Sequence, residues 1–436
     1  MRRLGFVFYI LFMFTVAIQP LQAQEKITLN DCIGKALEAN YSIKMVRNQE
    51  KIADNNTNYA PFLPTVALNA EQNQRVNDSK TKVGGEVNKM NGVASDAYSA
   101  GVSLNWRLFD GLSMFTTYAK YQEMLAIGEL NTQMSMENLI VNVSEAYYNV
   151  IVQHSKLDAA KHSLTLSSER YTEAHDKYVL GVLSGLELQQ AKIDLNADSS
   201  KYMKQKELLK SAYISLNMIM NSDLQKAMYV QDTILLQAPL VYGELYDNTL
   251  AMNTTLLIAR KDQKISALDV KLARSALFPT LDFNTGYNYS RTTTPAANTS
   301  LNRSNGFYWG VALRMNVFDR TENIRKIRNA KLEQENAEWS YRDIELQTLA
   351  DLAQLYNTYE NNLQIVNFEN ESAEVAFENL DAALEKYKLG TLSGIEFREF
   401  QRSYIDAVDR KLSAIYQAKV SELSLLLISG QMRAAQ

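Results

Sequence analysis

The chain has 436 residues, 46% of them apolar, with 45 basic against 49 acidic side chains and a formal net charge of −4. That is enough apolar content for a sizeable core and too little positive charge for a nucleic-acid partner. Cys32 is the single cysteine, which excludes an intrachain disulfide and any cluster of several thiolate ligands. Apart from Pro20, only Pro61, Pro64, Pro239, Pro279 and Pro295 occur, a scarcity of breakers that predicts very long helices.

Residues 1–23 carry Arg2 and Arg3, an apolar run from Leu4 to Ile18, then Pro20 and the small Ala23. This is the pattern of a secretory signal peptide, so the mature chain is expected to begin near Gln24 with a formal charge of −6. No later stretch holds the roughly 18 consecutive apolar residues a spanning helix needs, so any membrane passage is expected to use strands. Cys32 follows Leu29-Asn30-Asp31, well past the cleavage site. That argues against N-terminal lipidation and predicts a half-exposed helix residue.

From Ile27 to Pro64 the pattern is helical, with Asn30 or Asp31 placed to cap the first turn and a break expected near Asn40. A strand is expected at about 65–74, where Val66, Leu68 and Ala70 alternate with Ala67, Asn69 and Glu71. The polar stretch Arg75 to Ala97 reads as a loop. A second strand at about 98–109 sets Tyr98, Ala100, Val102, Leu104, Trp106 and Leu108 against Ser99, Gly101, Ser103, Asn105 and Arg107. Asp110 can cap a helix over about 112–180, roughly 100 Å long. In it Val143, Val150, Leu157, Leu164, Tyr171 and Tyr178 recur every seventh residue, beside a companion seam of Ala146, Gln153, Ala160, Ser167 and Ala174. Such a seam predicts close side-by-side helix packing. A tip at 181–184 reverses the chain into another helix that ends near Met220, and residues 221–242 form a less regular crossover.

The plan then repeats. Residues 24–220 form a first structural repeat and 243–436 a second, with strands at about 280–290 and 306–318, a long helix over about 321–389 and a tip at 390–393. Leu352, Tyr359, Val366, Ala373, Leu380 and Tyr387 reproduce the heptad seam. Lys177-Tyr178-Val179-Leu180-Gly181-Val182-Leu183-Ser184-Gly185-Leu186-Glu187 returns 209 positions later as Lys386-Tyr387-Lys388-Leu389-Gly390-Thr391-Leu392-Ser393-Gly394-Ile395-Glu396. Each long helix is flanked by helices short enough to stack end to end along it.

The strands have one apolar and one polar face, with Tyr98, Trp106, Phe109, Phe307, Trp309 and Phe318 as candidate membrane-interface aromatics, a pattern that fits an outer-membrane barrel. Four strands cannot close a barrel, since even the smallest have about eight, and open edges are not tolerated in lipid. Several copies are therefore expected to share one barrel: eight strands from two, twelve from three.

No nucleophile with a plausible base and no Gly-rich phosphate loop occurs, so neither an enzyme nor a cofactor is expected. His154, His162 and His175 lie about 12 Å or more apart along one helix, too far to share a metal. Met134, Met136, Met218 and Met220 read as packing. Asp110 and Asp319 read as helix caps.

The duplicated strand-strand-long-helix plan, the paired Leu-Gly-x-Leu-Ser tips and the Leu108-Phe109-Asp110 and Val317-Phe318-Asp319 exits resemble the TolC family of outer-membrane efflux proteins over essentially the whole mature chain. The resemblance implies a mainly α fold with a small transmembrane β part. It implies a homotrimer whose twelve strands form one barrel, continued by a twelve-helix periplasmic α-barrel. It also implies outer-membrane lipid around the barrel and a periplasmic adaptor docked on Gly181, Val182, Leu183, Ser184, Gly390, Thr391, Leu392 and Ser393. An inner-membrane pump or exporter would supply the energy to this passive exit duct. By the same resemblance Tyr387, Glu187, Glu396 and Glu399 form the gate beside the tips, while Leu392 stands where some members have a latch arginine.

Overall fold

The computed structural model describes residues 25–226, 228–230, 233–294 and 300–432; the signal-peptide segment lies outside them. The elements, in chain order, are β1 (Glu25–Lys26), α1 (Leu29–Ala39), α2 (Tyr41–Asn56), β2 (Thr65–Val83), β3 (Glu86–Asp110), α3 (Ser113–Val179), α4 (Gly185–Ile219), β4 (Met228–Tyr229), α5 (Tyr242–Met252), α6 (Thr254–Ser275), β5 (Thr280–Thr293), β6 (Leu301–Arg314), α7 (Glu322–Lys388) and α8 (Gly394–Ile428). Helices α3 and α7 each run 67 residues. Among the described residues no helix is apolar enough over a sufficient length to cross a membrane.

The two sequence repeats are not the two compact units. One unit joins the segment ending at Arg47 to Thr132–Thr254 and the chain from Glu345 onward; the other joins Asn48–Asn131 to Thr255–Ile344. Each draws on both repeats, because a long helix packs against its spatial neighbours rather than its sequence neighbours.

The first unit is helical apart from the short parallel pair of β1 and β4. Thr28, rather than Asn30 or Asp31, caps α1: its hydroxyl accepts from the Asp31 amide, and the Asp31 carboxylate, at the third helical position, accepts from the Thr28 amide at 3.0 Å, closing a capping box. Asn40 breaks the chain between α1 and α2, and its amide donates to Ile219 O at the end of α4, 3.0 Å away. The second repeat makes the same junction, with Asn253 donating to Ile428 O at 2.7 Å. Short helices thus meet end to end through a duplicated asparagine. Cys32 is fully buried rather than half-exposed. Together with Ile33 and Ala36 it packs among Val143, Tyr147 and Val150, and burial pushes its thiol up to about 12.

The heptad seam of α7 is buried from Leu352 through Tyr359, Val366 and Ala373 to Leu380. That of α3 behaves differently. Val143 and Val150 are buried, but nearer the tip Leu157, Leu164 and Tyr171 are half-buried while Ser163, Ser167, Arg170 and Ala174 are buried. The face turned inward there holds Ser167 and Ala174 of the companion seam together with Ser163, Leu166 and Arg170.

The second unit holds a four-stranded antiparallel sheet in the order β2-β3-β5-β6. Arg75 to Ala97, expected as a loop, is strand: β2 and β3 continue as a hairpin to a two-residue turn at Gly84-Gly85, with φ of +61° and +94°. A ladder standing clear of a core needs only its own backbone pairing and a glycine turn, so polarity hid it. Strand β6 ends at Arg314, opposite Thr280, because the partner strand runs out at Pro279, which has no N–H. Phe318 therefore lies beyond the strand. A bulge at Leu108 shifts the register so that Phe109, rather than Leu108, faces Leu281. Asp110 and Asp319 accept from the amides of Met114 and Asn323 at 3.1 and 2.7 Å, at the starts of α3 and α7.

Candidate functional site

Each hairpin tip is two local motifs in series. At the first, Gly181 has φ +75°, its amide donates to Tyr178 O at 2.9 Å, and the Val182 amide donates to Lys177 O at 2.9 Å. This is the double hydrogen bond that closes a helix C-terminus on a left-handed residue. Ser184 then opens α4 with a capping box: its hydroxyl accepts from the Glu187 amide, and Glu187 Oε2 accepts from the Ser184 amide and hydroxyl at 3.2 and 2.9 Å. The second tip repeats every step. Gly390 has φ +76°, the Thr391 amide donates to Lys386 O at 3.0 Å, and Glu396 Oε2 accepts from the Ser393 amide and hydroxyl at 2.9 and 2.8 Å. The Ser393 backbone and hydroxyl hold the Glu396 carboxyl below its ordinary value.

The other expected gate residues divide. Tyr387 is half-buried, stacked on Phe397 with ring centroids 5.3 Å apart, and Lys177 Nζ lies 5.6 Å from its ring centre. Burial raises its hydroxyl above the ordinary value, and the nearby Glu173 and Glu187 carboxylates add to that against Arg170 and Lys177. Its relation to Glu187 is thus one of charge, across the two hairpins. Glu399 is exposed and 3.4 Å from Arg402. Of the expected docking residues, Gly181, Val182, Ser184, Gly390, Thr391 and Ser393 are exposed, whereas Leu183 and Leu392 are half-buried. Leu392 packs into the cluster of Leu380, Ala383 and Phe397. The apolar side chains left bare at the tips include Leu180, Leu186, Leu389 and Ile395 as well as Val182.

Sequence reasoning missed a buried charged cluster that lies between about one and five helical turns inside the tips. Arg398 of α8 grips both oxygens of Asp198 on α4, at 2.6 and 2.8 Å. Ser167 and Ser163 of α3 also donate to Asp198, and Arg170 of α3 pairs with Asp194 while donating to Gly394 O at 3.2 Å. Gln401 donates to Ser163 O and to the Ser163 and Ser167 hydroxyls at 2.9 to 3.1 Å. Three helices from both repeats meet in this cluster. Burial pushes the Asp198 carboxyl up, but the Arg398 and Ser167 hydrogen bonds and the guanidinium charge outweigh it and hold the group below its ordinary value. The available signal was the i, i+4 spacing of Asp194 with Asp198 and of Ser163 with Ser167, which puts each pair on one helix face.

In the sheet unit, directly paired residues share a face, so the register fixes a single apolar surface. Its rows are Phe109, Leu281 and Leu313; Trp106, Phe283 and Val311; Val66, Leu104, Thr285 and Trp309; and Leu68, Val102, Tyr287 and Phe307. Most of these side chains are exposed, Phe307 and Trp309 to 69% and 66%. The opposite face carries Arg107, whose Nε is 3.0 Å from Asp282, with Arg314 3.6 Å from the same carboxylate. Trp106 donates to Phe62 O at 2.9 Å and Tyr98 Oη accepts from Gln72 at 3.1 Å. Tyr98 lies mid-strand, since β3 begins at Glu86.

The chain is similar to the outer membrane protein TolC of Vibrio cholerae, with 20% identity over 346 residues covering 78% of each chain. It is also similar to the cation efflux system protein CusC of Escherichia coli K12, with 22% identity over 350 residues covering 78% of this chain and 75% of that protein. Its fold matches the crystal structure of the Campylobacter jejuni CmeC outer membrane channel with a TM-score of 0.75 at 17% identity, over 92% of this chain and 85% of that one. The model of the family described as outer membrane efflux protein matches residues 32–222 and 245–431, one span in each repeat, and so the chain belongs to that family and is a protein of the outer membrane.

Proposed function

We propose that three copies of this chain form the passive exit duct of a tripartite efflux or type I secretion system. The observation that carries this reading is the sheet: one bare apolar face, one polar face, and two edge strands, β2 and β6, with no strand paired to their outer edges among the described residues. An unpaired edge in lipid leaves a row of backbone groups without partners, at several kcal/mol each. Pairing β6 of one copy with β2 of the next satisfies them, and three copies give twelve strands, within the range of closed barrels. Trp106, Phe109, Phe307 and Trp309 then meet lipid, and Arg107, Asp282 and Arg314 meet the lumen.

The helical hairpins supply the docking end. Two tips of matching backbone geometry, each bearing bare apolar side chains, suit a periplasmic adaptor protein, through which an inner-membrane pump or exporter is engaged. Beside them Tyr387, Glu187, Glu396 and Glu399 form the gate. Glu187 and Glu396 each keep one carboxylate oxygen on their own helix cap, which fixes where the charge stands, and Glu399 adds a second acidic position. Repeated three times around a mouth, these carboxylates favour cations.

Purified protein in planar bilayers tests the reading. Reproducible cation-selective channels are expected, with selectivity falling in the Glu396→Ala/Glu399→Ala variant. Absence of conductance would make the protein a scaffold of coiled helices without a pore, and unchanged selectivity in the variant would remove the glutamates from the gate.

A further inference from the structure

The apolar face of the sheet ends in a row of different chemistry. Two residues beyond Tyr289 and Asn305, Gln72, Tyr98, Arg291 and Arg303 stand side by side on neighbouring strands, with Arg291 directly opposite Arg303. By the alternation of side chains they occupy the same face as Phe283, Tyr287, Phe307 and Trp309. Like charges directly opposed on a ladder destabilise it. Both arginines are exposed, and among the described residues neither has a carboxylate within ion-pair distance. Asp96, one row further on, faces Thr293. Arg303 lies over the Tyr289 ring, 5.3 Å from its centre, which leaves the edge of the guanidinium free. Tyr98 already accepts from Gln72, so its hydroxyl hydrogen is directed elsewhere.

The height of the row is informative. Ten residues separate Leu281 from Arg291, roughly 33 Å along the strand and roughly 25 Å along the membrane normal for a strand tilted by about 40°. That is the thickness of the apolar band of an outer-membrane barrel. With Leu281 at one boundary, the arginines reach the headgroups at the other.

From this placement we infer that Arg291, Arg303 and Tyr98 form a binding site for the phosphate of an anionic lipid headgroup in the far leaflet. Two guanidinium groups on strands about 4.8 Å apart can share one phosphate, which removes the repulsion between them and uses the donors the ladder leaves over. A ring of such sites ties the barrel to its lipid shell at a fixed depth. The inference rests on the barrel reading above.

Native mass spectrometry of the full-length protein in detergent, titrated with phosphatidylglycerol and separately with phosphatidylcholine, tests it. Phosphatidylglycerol is expected to bind in preference, and Arg291→Gln/Arg303→Gln to weaken that binding by about tenfold or more. Lys80→Gln/Lys89→Gln removes another directly opposed cationic pair, further out on the hairpin, and is expected to leave the affinity unchanged. Equal affinity in the arginine variant, or equal loss in the lysine variant, would overturn the site. Inorganic phosphate displacing the lipid at comparable concentration would assign the pair to free phosphate and overturn the lipid assignment. Co-flotation with phosphatidylcholine vesicles separates the two readings: protein that floats but shows no headgroup preference refutes only the site, and protein that fails to float refutes the barrel and the site together.

Discussion

The two hairpin tips share a backbone and differ in what lies behind it. At an offset of 209 residues, Gly181 corresponds to Gly390, Ser184 to Ser393 and Glu187 to Glu396, and each pair plays the same part in the turn. Roughly 7–21 Å further in along the helices, the correspondence ends. Arg170, Asp194 and Asp198 of the first repeat map onto Asn379, Ser403 and Ala407, while Arg398 and Gln401 of the second map onto Gln189 and Lys192. Duplication preserved the local motif that turns the chain; the buried charges are divided unequally between the repeats, with Asp194, Asp198 and Arg170 on one side and Arg398 on the other. A buried ion pair is a poor source of stability, because desolvation consumes most of its Coulomb gain. What it does here is join α8 of the second repeat to the α3–α4 hairpin of the first.

The sharpest way to break this asymmetry is Asp198→Ala. Its side chain is 1% exposed and that of Arg398 11%, and with Asp198 gone the guanidinium keeps only Asp194, 4.0 Å from its Nε, so the variant leaves a buried charge poorly paired, at a cost of about 3 kcal/mol. Thermal unfolding in detergent should show the loss, and Asp198→Leu/Arg398→Met should recover most of it by removing both charges. Acid gives a second readout. Because the folded state holds Asp198 below its ordinary value, its contribution is complete above about pH 4 and is lost as pH falls through the lower folded value. The wild type should therefore show a destabilising step below about pH 4 that Asp198→Asn lacks. An Asp198→Ala protein as stable as wild type would mean the cluster is no clasp.

A smaller effect tests the shared half of the comparison. Gly181→Ala and Gly390→Ala should each cost about 1–2 kcal/mol, since both positions have left-handed φ, and a Cβ at either would meet nothing within 4 Å. With no packing contribution at either site, the two losses should be equal in the same unfolding measurement. A marked inequality would show that one tip is strained by its surroundings.

What the sequence made legible follows the same division. Period-2 alternation located the four strands of the larger sheet but not the short β1–β4 pair, and the heptad located both long helices, because each of these reflects one continuous apolar face. The tips were legible because Gly and Ser act through the adjacent backbone. The hairpin from Arg75 to Ala97 was hidden, since its outer part, polar on both faces, has no apolar face to declare. The Asp198–Arg398 pair was hidden for a different reason: its partners lie 200 residues apart and on helices whose charged residues look like ordinary solvated surface. The bulge at Leu108 moved Phe109 onto the apolar face by a register change that alternation alone does not contain.

The smallest effect on stability should carry a large effect on export. Leu186 and Ile395 occupy equivalent positions in the two tips and are 81% and 70% exposed. Leu183 and Leu392 are also equivalent, but Leu392 packs against Phe397, so a charge there would disturb the fold as well as any docked surface. Leu186→Glu/Ile395→Glu avoids this confusion: surface changes of this kind shift stability by about 0.5 kcal/mol or less. If the bare apolar side chains are where an adaptor seats, two desolvated carboxylates per copy should abolish export while the protein remains assembled in the membrane. Export measured in cells, beside the amount of assembled protein, decides between the outcomes. Undiminished export would reduce both tips to turns and leave the buried cluster behind them without a mouth to hold.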